Sequence, residues 1–105
     1  MTDEKILKKI EEKFKVPERV TDQLQIKAEK VHGGYLIYEF RPKWNDKNGE
    51  WIKFDVAKII FRKNPTKYLI YWMRASGKWE LYKECRLFDL ALNIIDKDEH
   101  CCFWG

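Results

Sequence analysis

Apolar positions recur every three to four residues near both ends of the chain and every second residue between them. At the start, Ile6, Leu7, Ile10 and Phe14 fall on one stripe, which predicts an amphipathic helix over 3–15. Thr2 or Asp3 can accept its free amides, and Asp3 and Glu4 suit its positive end. Pro17 stops it, because the residue before a proline is pushed away from helical angles. Near the other end, "RLFDLALNIID" (86–96) sets Leu87, Phe88, Ala91, Ile94 and Ile95 on one face. Leu90 and Leu92 widen that face, so a second, well-buried helix is expected.

Between the helices the period is two. Leu24, Ile26 and Ala28 alternate with Gln25, Lys27 and Glu29, "HGG" (32–34) reads as a hairpin turn, and "YLIYEF" (35–40) is the return strand, ended by Pro42. "NDKNG" (45–49) is the clearest loop. "WIKFDVAKIIFRK" (51–63) is a long third strand whose alternation slips near Asp55–Val56, which predicts a bulge. Asn64-Pro65 turns the chain into "KYLIYWM" (67–73), and Ala75-Ser76-Gly77 turns it into "KWELYK" (78–83). The expected fold is α+β and one domain over 1–105: an N-terminal helix, a five-stranded antiparallel meander and a C-terminal helix.

The last hairpin, "YLIYWMRASGKWELYK" (68–83), concentrates rings and cations. A three-residue loop with Gly77 left-handed pairs Arg74 with Lys78 and sets Met73 opposite Trp79. Leu69, Tyr71, Met73, Trp79 and Leu81 then share a face, which suits the helices together with Ala57, Ile59 and Phe61. Tyr68, Trp72 and Tyr82 are left outside beside Lys58 and Arg62. A two-residue turn reverses the faces of the last strand. An exposed sheet of this kind stacks bases on rings and meets phosphates with cations. The expected ligand-binding set is therefore Lys58, Arg62, Tyr68, Trp72 and Tyr82. The same rings also suit plain strand packing, or cover by a second copy of the chain.

Charge sharpens this reading. The net charge of +4 hides a neutral stretch over 1–40, +7 over 41–83 and −3 over 84–105. Three cysteines, Cys85, Cys101 and Cys102, give no disulfide framework. His100-Cys101-Cys102 lacks the second ligand pair of a zinc site, so neither metal nor cofactor is expected. No nucleophile elbow, phosphate loop or metalloprotease motif occurs, which leans away from an enzyme. The charged start and the lack of any run near the roughly 20 apolar residues of a membrane span lead us to expect a cytoplasmic protein with no membrane partner.

"RPKW" (41–44), "EW" (50–51), "VAKIIFRK" (56–63), "LIYWMRASGKWELY" (69–82) and the terminal "FWG" occur in an order and spacing that resembles the domain of unknown function 3024 family. The resemblance covers about residues 20–105 and implies a small bacterial, cytoplasmic protein with no assigned activity. The family pattern has a basic residue or His after the tryptophan matching Trp79, where this chain has Glu80. The shared positions have a structural reading, with Arg41 stacked on Trp44 or Trp51 and Phe103 and Trp104 closing the core. They also define a secondary candidate site of Arg41, Lys43, Trp44 and Trp51 around the 45–49 loop. The functional expectation is a non-enzymatic binding module with nucleic acid or another anionic polymer on its aromatic and basic sheet face. A homodimeric or protein-interaction module using that face is the alternative, and an enzyme around Arg41 and Trp51 is the third reading.

Overall fold

A computed structural model describes residues 2–43 and 49–104. Helix α1 spans Asp3–Lys13, and the Thr2 hydroxyl accepts the Lys5 amide at its start. A 3-10 turn at Glu18–Val20 leads into five strands: β1 Gln25–Val31, β2 Gly34–Pro42, β3 Trp51–Arg62, β4 Lys67–Met73 and β5 Trp79–Cys85. Helix α2 spans Phe88–Lys97. The strands form one antiparallel sheet in chain order, the meander that the sequence predicts. The 45–48 part of the expected loop lies outside the described residues.

Both helices lie on one side of the sheet, α1 against β1 and α2 against β4 and β5. Between helices and sheet sit Ile10, Ile37, Ala57, Ile59, Ile70, Ala91, Leu92 and Ile95, all essentially out of solvent. The ion pairs Lys9–Asp89 and Lys13–Asp96 join the helices above this core. Leu87 and Leu90, expected on the buried stripe of α2, are instead exposed: Leu87 precedes the first helical turn, and Leu90 lies off the face that buries Ala91, Leu92 and Ile95. After α2, Asp98 takes a left-handed conformation, and its carboxylate accepts the amides of Phe103 and Trp104 at 3.0 and 2.9 Å. The Trp104 indole donates to the Ile95 carbonyl, and Phe103 is buried, so the tail closes the core as expected.

Two bulges decide which side chains share a face. Ile37 pairs with Ala57 and Tyr38 with Asp55, so Val56 is an extra residue. This is the slip expected at 55–56. Val56 and Ala57 both turn inward, and the bulge thereby brings odd-numbered Trp51 and Lys53 onto the face of even-numbered Lys58 and Ile60. A second bulge inserts Tyr82 into β5, between Leu81, which pairs with Tyr71, and Lys83, which pairs with Ile70. At the opposite rim, a Glu11 carboxylate oxygen of α1 accepts the Ala28 amide of β1.

Tyr35 joins β2 to α1, donating its hydroxyl to the Asp3 carboxylate at 2.6 Å. Burial, reinforced by the Asp3 hydrogen bond and charge, pushes its phenol from 10.0 up to about 12. Folding therefore favours the neutral phenol, so this contribution is complete below pH 10 and is lost as pH rises toward 12. Urea melts should lose roughly 1–2 kcal/mol more over that range in the wild type than in Tyr35→Phe. Equal losses in both proteins would remove Tyr35 as the source.

Candidate sheet-face interface

The hairpin from β4 to β5 has the predicted three-residue loop. The Arg74 amide donates to the Lys78 carbonyl, the Gly77 amide donates to the Arg74 carbonyl, Gly77 has φ +85°, and Met73 pairs with Trp79. The assignment of its faces is corrected. Tyr68, Trp72 and Tyr82 turn toward the helices: Tyr68 meets Phe88 edge-on at 5.6 Å, Tyr82 meets Phe103 at 5.0 Å, and Trp72 packs against the core. The Tyr82 hydroxyl is also hydrogen-bonded to His100 Nδ1 at 2.8 Å. The cause is the register between β3 and β4. Arg62 pairs with Lys67 across the four-residue loop 63–66, so odd positions of β3 face even positions of β4. Ala57, Ile59 and Phe61 therefore carry Trp72, Ile70 and Tyr68 inward with them.

Lys58 and Arg62 do lie on the uncovered face, separated from those three rings by the sheet itself. Around them the outer surface holds a different set of rings. The Lys58 ammonium lies 5.6 Å from the centre of Tyr71 and 4.8 Å from that of Trp79. Further along, Phe40 and Trp51 stack at 5.3 Å with planes 17° apart. Tyr38 meets Phe40 edge-on, Lys27 lies over Phe40 and Lys53 over Tyr38. Each of these five rings is half-buried rather than covered. Leu36, in the row of Lys58 and Tyr71, and Ile60 and Leu69, beyond Lys58 from Trp51, are themselves buried, although they stand apart from the core under the helices.

Charge on this face is unevenly balanced. Lys53 pairs with Glu29 and reaches Asp55, and Lys67 pairs with Glu84 at 2.8 Å. The hydrogen bond to Glu29 raises the Lys53 pKa further, so its charge is secure. Among the described residues, Lys58 and Lys27 have only rings as partners. Three cations, Lys27, Lys58 and Arg62, thus stand on a face whose carboxylates Glu29, Asp55 and Glu84 are already engaged.

The secondary set does not assemble into one rim. Arg41 lies on the helix side, bonded to the nearly buried carboxylate of Glu39 and 5.8 Å from the Phe54 ring centre, rather than against Trp51. Trp51 is on the opposite face, stacked on Phe40. Lys43 pairs with Glu50, and Trp44 lies outside the described residues. A concavity of about 480 Å³ lies between α1 and β1 and is lined by mixed charges such as Lys8, Glu11 and Lys15. Arg41, Lys43 and Trp51 line none of the principal hollows among the described residues.

Sequence reasoning missed Tyr38, Phe40, Lys27 and Lys53, and placed Tyr71 and Trp79 on the wrong side. For Tyr71 and Trp79 the signal was the even number of residues in the 63–66 loop, which fixes odd against even across the strand pair. No helix of the described residues is long and apolar enough to cross a membrane. No curated protein and no solved structure matches the chain. The sequence profile described as domain of unknown function (DUF3024) matches residues 2–105, so that α1 falls inside the shared region and the chain belongs to this family.

Proposed function

We propose that the chain is a non-enzymatic binding module whose uncovered sheet face holds nucleic acid or another anionic polymer. The observation that carries this reading is Lys58, which has no carboxylate partner among the described residues and rests between the Tyr71 and Trp79 rings. A cation over an exposed ring gains only about 0.5–1 kcal/mol. A base stacked on an aromatic side chain gains roughly 1–3 kcal/mol. Lys58 can therefore leave the rings at small cost, meet a phosphate, and open both ring faces to bases.

A second copy of the chain is the competing occupant, favoured by the half-exposed Leu81 beside Trp79. Pairing that face with itself brings two surfaces of like charge together, which opposes it. Light scattering of a monomer at high concentration removes this alternative.

Tryptophan fluorescence titrated with a single-stranded oligonucleotide at low salt tests the leading reading. The expected result is saturable quenching that weakens steeply with salt, because each phosphate contact releases counterions. Lys58→Met should weaken binding about tenfold and reduce the salt slope by about one. No binding of any anionic polymer by the wild type sinks the proposal.

A further inference from the structure

Resting on that reading, we infer that the two ring groups are two subsites on one path for a single-stranded nucleic acid. One subsite is Lys27, Phe40 and Trp51; the other is Lys58, Tyr71 and Trp79. Both lie on the face without helices, because the Val56 bulge puts Trp51 on the same side as Lys58. From Trp51 to Lys58 along β3, with the extra Val56 adding no length, the separation is about 20 Å at the usual strand rise. Stacked nucleotides advance about 3.4 Å each, so about six span that gap, and fewer if the strand is extended.

The surface between the subsites suits such a strand. Along β3 the outward residues between them are Lys53 and Asp55, with Tyr38 beside them on β2, and the carboxylates there, Glu29 and Asp55, are both engaged by Lys53. Each subsite pairs ring faces with a lysine whose only described partners are those rings, the combination that a base and its phosphate require. A duplex keeps its base faces stacked inside and offers nothing to the rings. A polymer of phosphate alone uses the cations and leaves the rings idle. Single strands engage both, and two linked contacts gain affinity together through effective concentration.

Oligodeoxythymidylates of about three and about nine nucleotides are the test, with inorganic polyphosphate as the charge control. The nonamer should bind about a hundredfold tighter than the trimer. Its extra binding registers on one site alone give less than about tenfold. Either Trp51→Ala or Trp79→Ala should bring the nonamer close to the trimer, while Trp51→Phe, which keeps a ring, should restore most of the advantage. Thermal melts of each variant confirm that the comparison is between folded proteins.

A length ratio below about tenfold overturns the two-subsite path. So does a ratio that survives either alanine substitution. If polyphosphate gains as much with length and ignores both tryptophans, the face holds anions by charge alone; the inference then fails while the broader reading stands. If nothing binds, both fail.

Discussion

Gly34→Ala is expected to cost 4 kcal/mol or more, roughly the scale reserved for the most disruptive single changes. A Cβ built at Gly34 falls 1.9 Å from the Ile59 carbonyl oxygen and 2.9 Å from the Ile59 carbonyl carbon and Ile60 Cα. These are backbone atoms of the central strand, so no side chain can swing away. Gly34 pairs with Val31 on one side and Ile60 on the other, at the point where β1, β2 and β3 meet. Relief therefore requires the two strand pairs to separate. Gly77→Ala is the control: its φ is +85° but nothing lies within 4 Å, so about 1 kcal/mol of left-handed strain is the whole expected effect. Urea melts of the two variants give the comparison, and similar losses would show that the β1–β2–β3 junction is looser than its geometry.

Trp72→Ala is expected to destabilise by about 2–4 kcal/mol, whereas Trp79→Ala should cost under about 1 kcal/mol. The two indoles lie on opposite sides of the sheet in adjacent strands. Trp72 pairs across β3 with the fully buried Ala57 and packs against the core, so its removal leaves a cavity under the helices. Trp79 lies on the uncovered face, and its described partner is the Lys58 ammonium, which water can receive instead. Binding should show the reverse order, with Trp79→Ala weakening oligonucleotide affinity and Trp72→Ala changing it little in the folded fraction. A stability loss at Trp79 equal to that at Trp72 would contradict the assignment of faces.

The extent to which the sequence foretold this follows from the range of each interaction. The helices, the five strands, the Gly77 loop and the bulge at 55–56 are set by neighbours within a few residues, and the sequence shows them. The family was also legible, from motifs spread over residues 41–105, and the shared region extends back to residue 2. The direction in which β4 faces is a different kind of quantity. Tyr68, Ile70 and Trp72 are as apolar as Leu69, Tyr71 and Met73, so alternation within the strand cannot rank the two sides. Register across the 63–66 loop makes that choice, and Tyr71 and, through β5, Trp79 depend on it. In β5, the extra Tyr82 changes parity once more, which keeps Cys85 and Tyr82 inside while Trp79 stays out.

The treatment of the sheet's two long rims limits how molecules of this chain can polymerise. A helix carboxylate occupies an outward amide of β1, and β5 is broken by its extra tyrosine and carries Lys83 and Glu84 beside it. An incoming extended peptide finds the ladder interrupted at Ala28 along β1 and at Tyr82 along β5. Overcrowded or heated solutions of intact protein should therefore resist lateral growth into fibrils from these rims until α1 detaches.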